Sequence, residues 1–101
     1  MLWQDMENGE KSMYKVTYAS KAKEHLRLHE ESGNLPLVRK ISSLITELKI
    51  HPRTGTGKPE PLKYGLAGQW SRRINNEHRL IYTIEDNVVK IVNVLSAKGH
   101  Y

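Results

Sequence analysis

The apolar residues of this chain change their period at Pro52, and that switch constrains the fold more than any other feature. Before it, Leu37, Val38, Ile41, Leu44, Ile45 and Leu48 recur at spacings of three and four, the stripe of an amphipathic helix. Asn34 offers that helix an N-cap, Pro36 suits its first turn, and Pro52 stops it. Residues 20–31 also read as helical, with Ala19, Ala22, Leu26 and His29 or Glu30 at helical spacing and Gly33 placed to end the run. A short turn joins the two helices, so they should form an antiparallel hairpin. Beyond Pro52 the pattern becomes that of strands: extended over residues 60–64, alternating over 69–74 and 77–85, and apolar on both faces over 88–97. Asp86-Asn87 suits a two-residue hairpin turn. Tyr14, Val16 and Tyr18 alternate in the same way ahead of the helices. The order β-α-α-β-β-β-β predicts an α+β domain, a helical hairpin packed on a mostly antiparallel sheet.

With 101 residues the chain fits one domain and one modest core. Residues 1–12 are polar, net acidic and without periodicity; they are expected to be a flexible extension ahead of a domain spanning 13–101. They have no apolar core of the kind a signal peptide needs. No uninterrupted apolar run exceeds three residues, too short for a membrane-spanning helix. The absence of cysteine removes disulfides and thiolate metal sites, and suits a cytoplasmic protein. Net charge is +5, which calls for an acidic partner. Arg53, Lys58, Lys63, Arg72, Arg73 and Arg79 face only Glu60 and Glu77 between positions 53 and 79, so that stretch is the candidate polyanion surface.

Cleavage of RNA by its own 2′-hydroxyl requires a base for the 2′-OH proton, a cation for the crowded phosphorane and an acid for the departing 5′-oxygen. Glu60 is a candidate base: prolines on both sides restrict its backbone to extended forms, and Lys58 and Lys63 flank it. Arg72, Arg73 and Arg79 lie on two strands joined by a turn at Asn75-Asn76, and a hairpin there should bring their guanidiniums together; Glu77 could instead serve Arg79 as a surface partner. His100 is a candidate acid and Tyr101 a stacking group, held at the chain end by the strand before them, although a terminal His-Tyr could equally fray. His25 and His29, at i and i+4 on a helix, have metal-ligand spacing but no third ligand, and read better as surface residues. Residues 53–58 hold two glycines and a lysine without P-loop spacing. Trp70 and Tyr82 read as core.

Gly57-Lys58-Pro59-Glu60-Pro61-Leu62-Lys63, Leu66-Ala67-Gly68-Gln69-Trp70-Ser71-Arg72-Arg73-Ile74, Glu77-His78-Arg79-Leu80-Ile81-Tyr82 and the terminal His100-Tyr101 together resemble the YoeB/Txe family of toxins, within the RelE superfamily. The likeness covers residues 13–101, in pattern rather than identity over the helices. It implies a RelE-like fold, similar to small microbial ribonucleases. It also implies an endoribonuclease that cuts mRNA at the ribosomal A site without cofactor or metal, leaving a 2′,3′-cyclic phosphate and inhibiting translation. Such toxins belong to type II toxin–antitoxin systems, so a YefM/Phd-type antitoxin is an expected partner beside mRNA and the ribosome; a homodimer is a further possibility and no membrane is involved. On this resemblance Glu60 is the base, Arg79 the phosphate-binding arginine, His100 the acid and Tyr101 the terminal tyrosine. Lys58, Lys63, Arg72 and Arg73 are suited to RNA contact. Two other readings share the fold: a ParE-like toxin acting on a DNA-handling protein, and a non-catalytic RNA- or ribosome-binding module.

Overall fold

The computed structural model describes residues 13–63 and 68–99. The expected extension at 1–12, and His100 and Tyr101, lie outside them. Seven elements follow in the expected order: β1 (Lys15–Tyr18), α1 (Ser20–Glu31), α2 (Leu35–Leu48), β2 (Glu60–Pro61), β3 (Gln69–Arg73), β4 (Arg79–Asp86) and β5 (Lys90–Ser96).

The helices form for the reasons visible in the sequence. The Asn34 side chain accepts from the Leu37 N–H at 3.2 Å and caps α2, with Pro36 in its first turn. Val38, Ile41, Leu44, Ile45 and Leu48 are buried along one stripe; α1 contributes Ala22, Leu26 and His29. Gly33, at φ 77°, lets the chain reverse after α1. α2 ends at Leu48, four residues before Pro52, and the Pro52 carbonyl accepts from the buried Tyr82 hydroxyl at 2.7 Å.

The five strands make one sheet in the order β1-β5-β4-β3-β2. Three of its pairings are antiparallel; β1 runs parallel to β5, with Val16 opposite Val92. The helices cover one face, where Leu80, Tyr82, Val92 and Val94 join the helical stripe in a single core that Trp70 flanks. Two sequence expectations are corrected. The β4–β5 turn spans residues 87–89 rather than Asp86-Asn87, because Asp86 still pairs with Lys90. The strand therefore starts at Lys90, and Val88 and Val89 stand exposed at the tip.

Strand alternation also separates two adjacent arginines. Arg73 pairs with Arg79 across β3–β4, while Arg72 pairs with Leu80 and so lies on the helix-covered face. There Arg72 is fully buried. Its guanidinium donates to Glu47 Oε1 at 2.9 Å and to the carbonyls of His51 and Thr54, each at 2.8 Å. Glu47 Oε1 accepts a second bond from the Thr56 N–H, 2.9 Å. Burial pushes the Glu47 carboxyl up, but the Thr56 and Arg72 bonds outweigh it and hold the group below its ordinary range.

Removing Glu47 leaves a buried, half-answered cation. Glu47→Ala is expected to cost about 3 kcal/mol of stability in urea unfolding, the lower end for a buried pair because Glu47 keeps some solvent contact. The sign with pH follows from the depressed carboxyl: the stabilisation is complete above the unfolded value of about 4.3 and is lost as pH falls through the lower folded value. The wild type should thus lose stability below about pH 4 more steeply than Glu47→Ala.

Candidate active site

The sheet face opposite the helices carries the candidate chemistry, and register alone assembles it. Glu60 pairs with Ser71 across β2–β3, and Arg73 pairs with Arg79 across β3–β4. Ser71 and Arg73 are two apart on one strand, so all four share a face. With Gly57 and Lys58 they line a small open cleft of about 80 Å³. The edge strand suits Pro61, whose missing N–H would be a defect in a central strand. Buried Leu62, bonded to the Gln69 carbonyl through its N–H at 2.8 Å, pins the end of β2.

The loop wrapped over Arg72 runs into β2 and brings Gly57 and Lys58 to the cleft beside Glu60. The Gly57 carbonyl accepts from the Arg73 N–H at 2.7 Å. At φ 89°, a Cβ on Gly57 would stand 2.5 Å from the Arg73 carbonyl oxygen and 2.7 Å from Arg72 Cγ, so only glycine permits this approach. Lys58 follows at φ 52°, a left-handed conformation that an ordinary side chain adopts at a cost of about 1 kcal/mol. The strain falls on a residue that lines the cleft.

Of the residues singled out from the sequence, Lys58, Glu60, Arg73 and Arg79 come together. Lys63 is exposed but is not part of the lining. Arg72, expected at RNA, is instead enclosed beneath the loop with no surface to offer a ligand. Alternation between Arg72 and Arg73 decides the difference. Glu77 does not neutralise Arg79: its carboxylate stands 3.7 Å from His78 Nε2, and among the described residues no carboxylate pairs with Arg73 or Arg79. Arg79 Nη1 donates to the Asn75 carbonyl at 3.2 Å. Ser71, nearly fully buried, went unnoticed in the sequence although its two-residue spacing from Arg73 marks it.

His100 and Tyr101 follow a well-held segment. The Gly99 carbonyl accepts from the Arg79 N–H at 3.0 Å, and its N–H donates to His78 Nδ1 at 2.9 Å. His25 and His29 both bond through their rings to the backbone of Ala97, and His29 is buried rather than on the helix surface as the sequence suggests. A carboxylate beside two guanidiniums that no described carboxylate neutralises can take a proton from a hydroxyl while the guanidiniums hold a phosphate.

Comparison with known proteins identifies the family. The chain matches the YoeB-like toxins of bacterial type II toxin–antitoxin systems over residues 18–101. It is 46% identical over 77 residues to the toxin YoeB of Synechocystis, covering 76% of this chain and 86% of that one. A solved YoeB/ParE toxin from Agrobacterium tumefaciens superposes with a TM-score of 0.80 at 34% identity, covering 86% and 99% of the two chains. The toxin in a YoeB–YefM complex from Staphylococcus aureus superposes with a TM-score of 0.72 at 38% identity, covering 87% and 98%. The chain belongs to the YoeB-like toxin family of bacterial type II toxin–antitoxin systems.

Proposed function

We propose that this toxin is an endoribonuclease that cuts mRNA at the ribosomal A site by a metal-independent route. The observation that carries the reading is the cleft in which Glu60 shares one face with Arg73 and Arg79. Glu60 takes the proton from the 2′-hydroxyl as its oxygen attacks phosphorus. Arg79 holds the phosphorane charge, with Arg73 and Lys58 drawing the RNA backbone into the cleft. The P–O5′ bond breaks and His100 returns a proton to the departing oxygen, leaving a 2′,3′-cyclic phosphate and a 5′-hydroxyl; Tyr101 stacks on a neighbouring base. The functional unit is taken as residues 13–101, working in the cytoplasm.

An acidic segment of a YefM-type antitoxin is the natural partner for the same surface, because Arg73 and Arg79 face each other without a carboxylate of the described residues between them. A toxin of the ParE kind would need neither Glu60 nor His100, so RNA chemistry separates the two readings.

Wild-type protein incubated with programmed ribosomes is expected to leave 2′,3′-cyclic phosphate and 5′-hydroxyl ends; 5′-phosphate ends would sink the mechanism. Glu60→Gln should slow cutting by about 10²–10⁴-fold, the usual worth of a general base. Arg79→Ala should cost about 10²–10³-fold in kcat, as when an oxyanion donor is lost, and an effect confined to binding would refute its role. Arg73→Ala or Lys63→Ala should instead weaken RNA binding and lower the slope of log K against log salt by about 1 each.

A further inference from the structure

The β5 ladder ends at Ser96, yet the chain continues under tight control. Ala97 is completely buried, and both its backbone groups must find partners off the ladder. Its N–H donates to His25 Nδ1 at 3.0 Å, and its carbonyl accepts from His29 Nε2 at 2.8 Å. Two residues on, the Gly99 N–H donates to His78 Nδ1 and the Gly99 carbonyl accepts from the Arg79 N–H. The His29 and His78 rings meet edge to face, 4.8 Å between centroids, so the two attachment points are packed as one unit. Four backbone groups beyond the sheet are thus held by three imidazoles and one amide.

These bonds fix the tautomers. A backbone N–H can only donate, so Nδ1 of His25 and of His78 carries no proton. A carbonyl can only accept, so Nε2 of His29 carries one. His25 and His78 must therefore be neutral for the clasp to close.

We propose that His25, His29 and His78 are positioning residues that clasp residues 97–99 and so set where His100 enters the reaction. This role rests on the nuclease reading, in which His100 is the acid. A protonated His25 or His78 would set a donor against a donor and release the segment. The groups around His25 are Lys21, His29 and Lys98, with Glu24 opposing them; burial first and these cations next hold its ring below the ordinary histidine value, which keeps it neutral. Around His78 stand Glu77, His29 and the neighbouring Arg79.

The test compares full-length His25→Leu and His78→Leu with His25→Asn and His78→Asn. Leucine removes the acceptor, whereas the asparagine oxygen can stand in for Nδ1 without titrating. The leucine variants should lose about ten- to a hundredfold in single-turnover cutting at saturating RNA, the scale of a misplaced catalytic group, while binding a 2′-deoxy substrate analogue as the wild type does. The asparagine variants should recover most of that loss. Amide exchange at Ala97 and Gly99 should be fast with leucine and slow with asparagine. Leucine variants that exchange fast yet cut at the wild-type rate would overturn the proposal. Should they fail to fold, long-range ¹H–¹⁵N spectra of the wild type decide: Nε2–H tautomers at all three rings support the clasp, and an Nδ1–H tautomer at His25 or His78 refutes it. A wild type that cuts no RNA removes the nuclease reading, while the exchange and tautomer measurements still report on the clasp.

Discussion

One buried ion pair governs the geometry of the cleft. Arg72 enters the core side of the sheet with a full positive charge and no access to water, a situation tolerated only because both terminal nitrogens find acceptors, although its Nε finds none. It takes a carboxylate from α2 and two carbonyls from the chain that leaves α2, and the same carboxylate takes an amide from the loop. Residues 51–56 have no ladder or helix of their own, so these bonds define their path. That path delivers Gly57 against β3 and Lys58 into the cleft. The arginine that the sequence suggests for RNA thus acts on the site from behind, by holding the loop that leads into β2 and Glu60.

Much of this architecture was legible in the sequence, because local rules decided it. The α2 cap, its apolar stripe and the turn at Gly33 depend on neighbours within four residues, and each formed where the pattern put it. Alternation in β3 and β4 was legible too, yet the adjacent Arg72 and Arg73 were read as one basic feature when period two sends them to opposite faces. The turn after Asp86 was missed for another reason: Val88 and Val89 look like strand residues, and nothing local reveals that a hairpin tip leaves them in water. Partners distant in sequence were beyond reach. Nothing near Lys15 announces parallel pairing with Ile91, and the i, i+4 spacing of His25 and His29 carries no sign of Ala97, about seventy residues away.

The loop that leads into the cleft and the segment that follows β5 are held by different means. The loop wall hangs on a permanent charge, since arginine does not deprotonate in the physiological range, and on a carboxyl held below its ordinary value. It is therefore insensitive to pH until strongly acidic conditions. The segment at Gly99, bonded to the Arg79 N–H, is instead held by the His78 ring, whose Nδ1 accepts only while it carries no proton.

The cleft itself is left electrostatically unfinished. Arg73 and Arg79 sit directly opposite on paired strands, where like charges repel and reduce stability by several tenths of a kilocalorie per mole or more. No described carboxylate bridges them, and Glu60 pairs with Ser71, two residues before Arg73 on β3. Sheet stability alone gives no reason for this arrangement, since one acidic residue at either position would relieve it. An anion between the two guanidiniums removes the repulsion and gains charge-assisted hydrogen bonds at once. Binding a phosphate therefore recovers free energy that folding left unspent, so affinity for a polyanion and a small loss of stability arise from the same pair of residues.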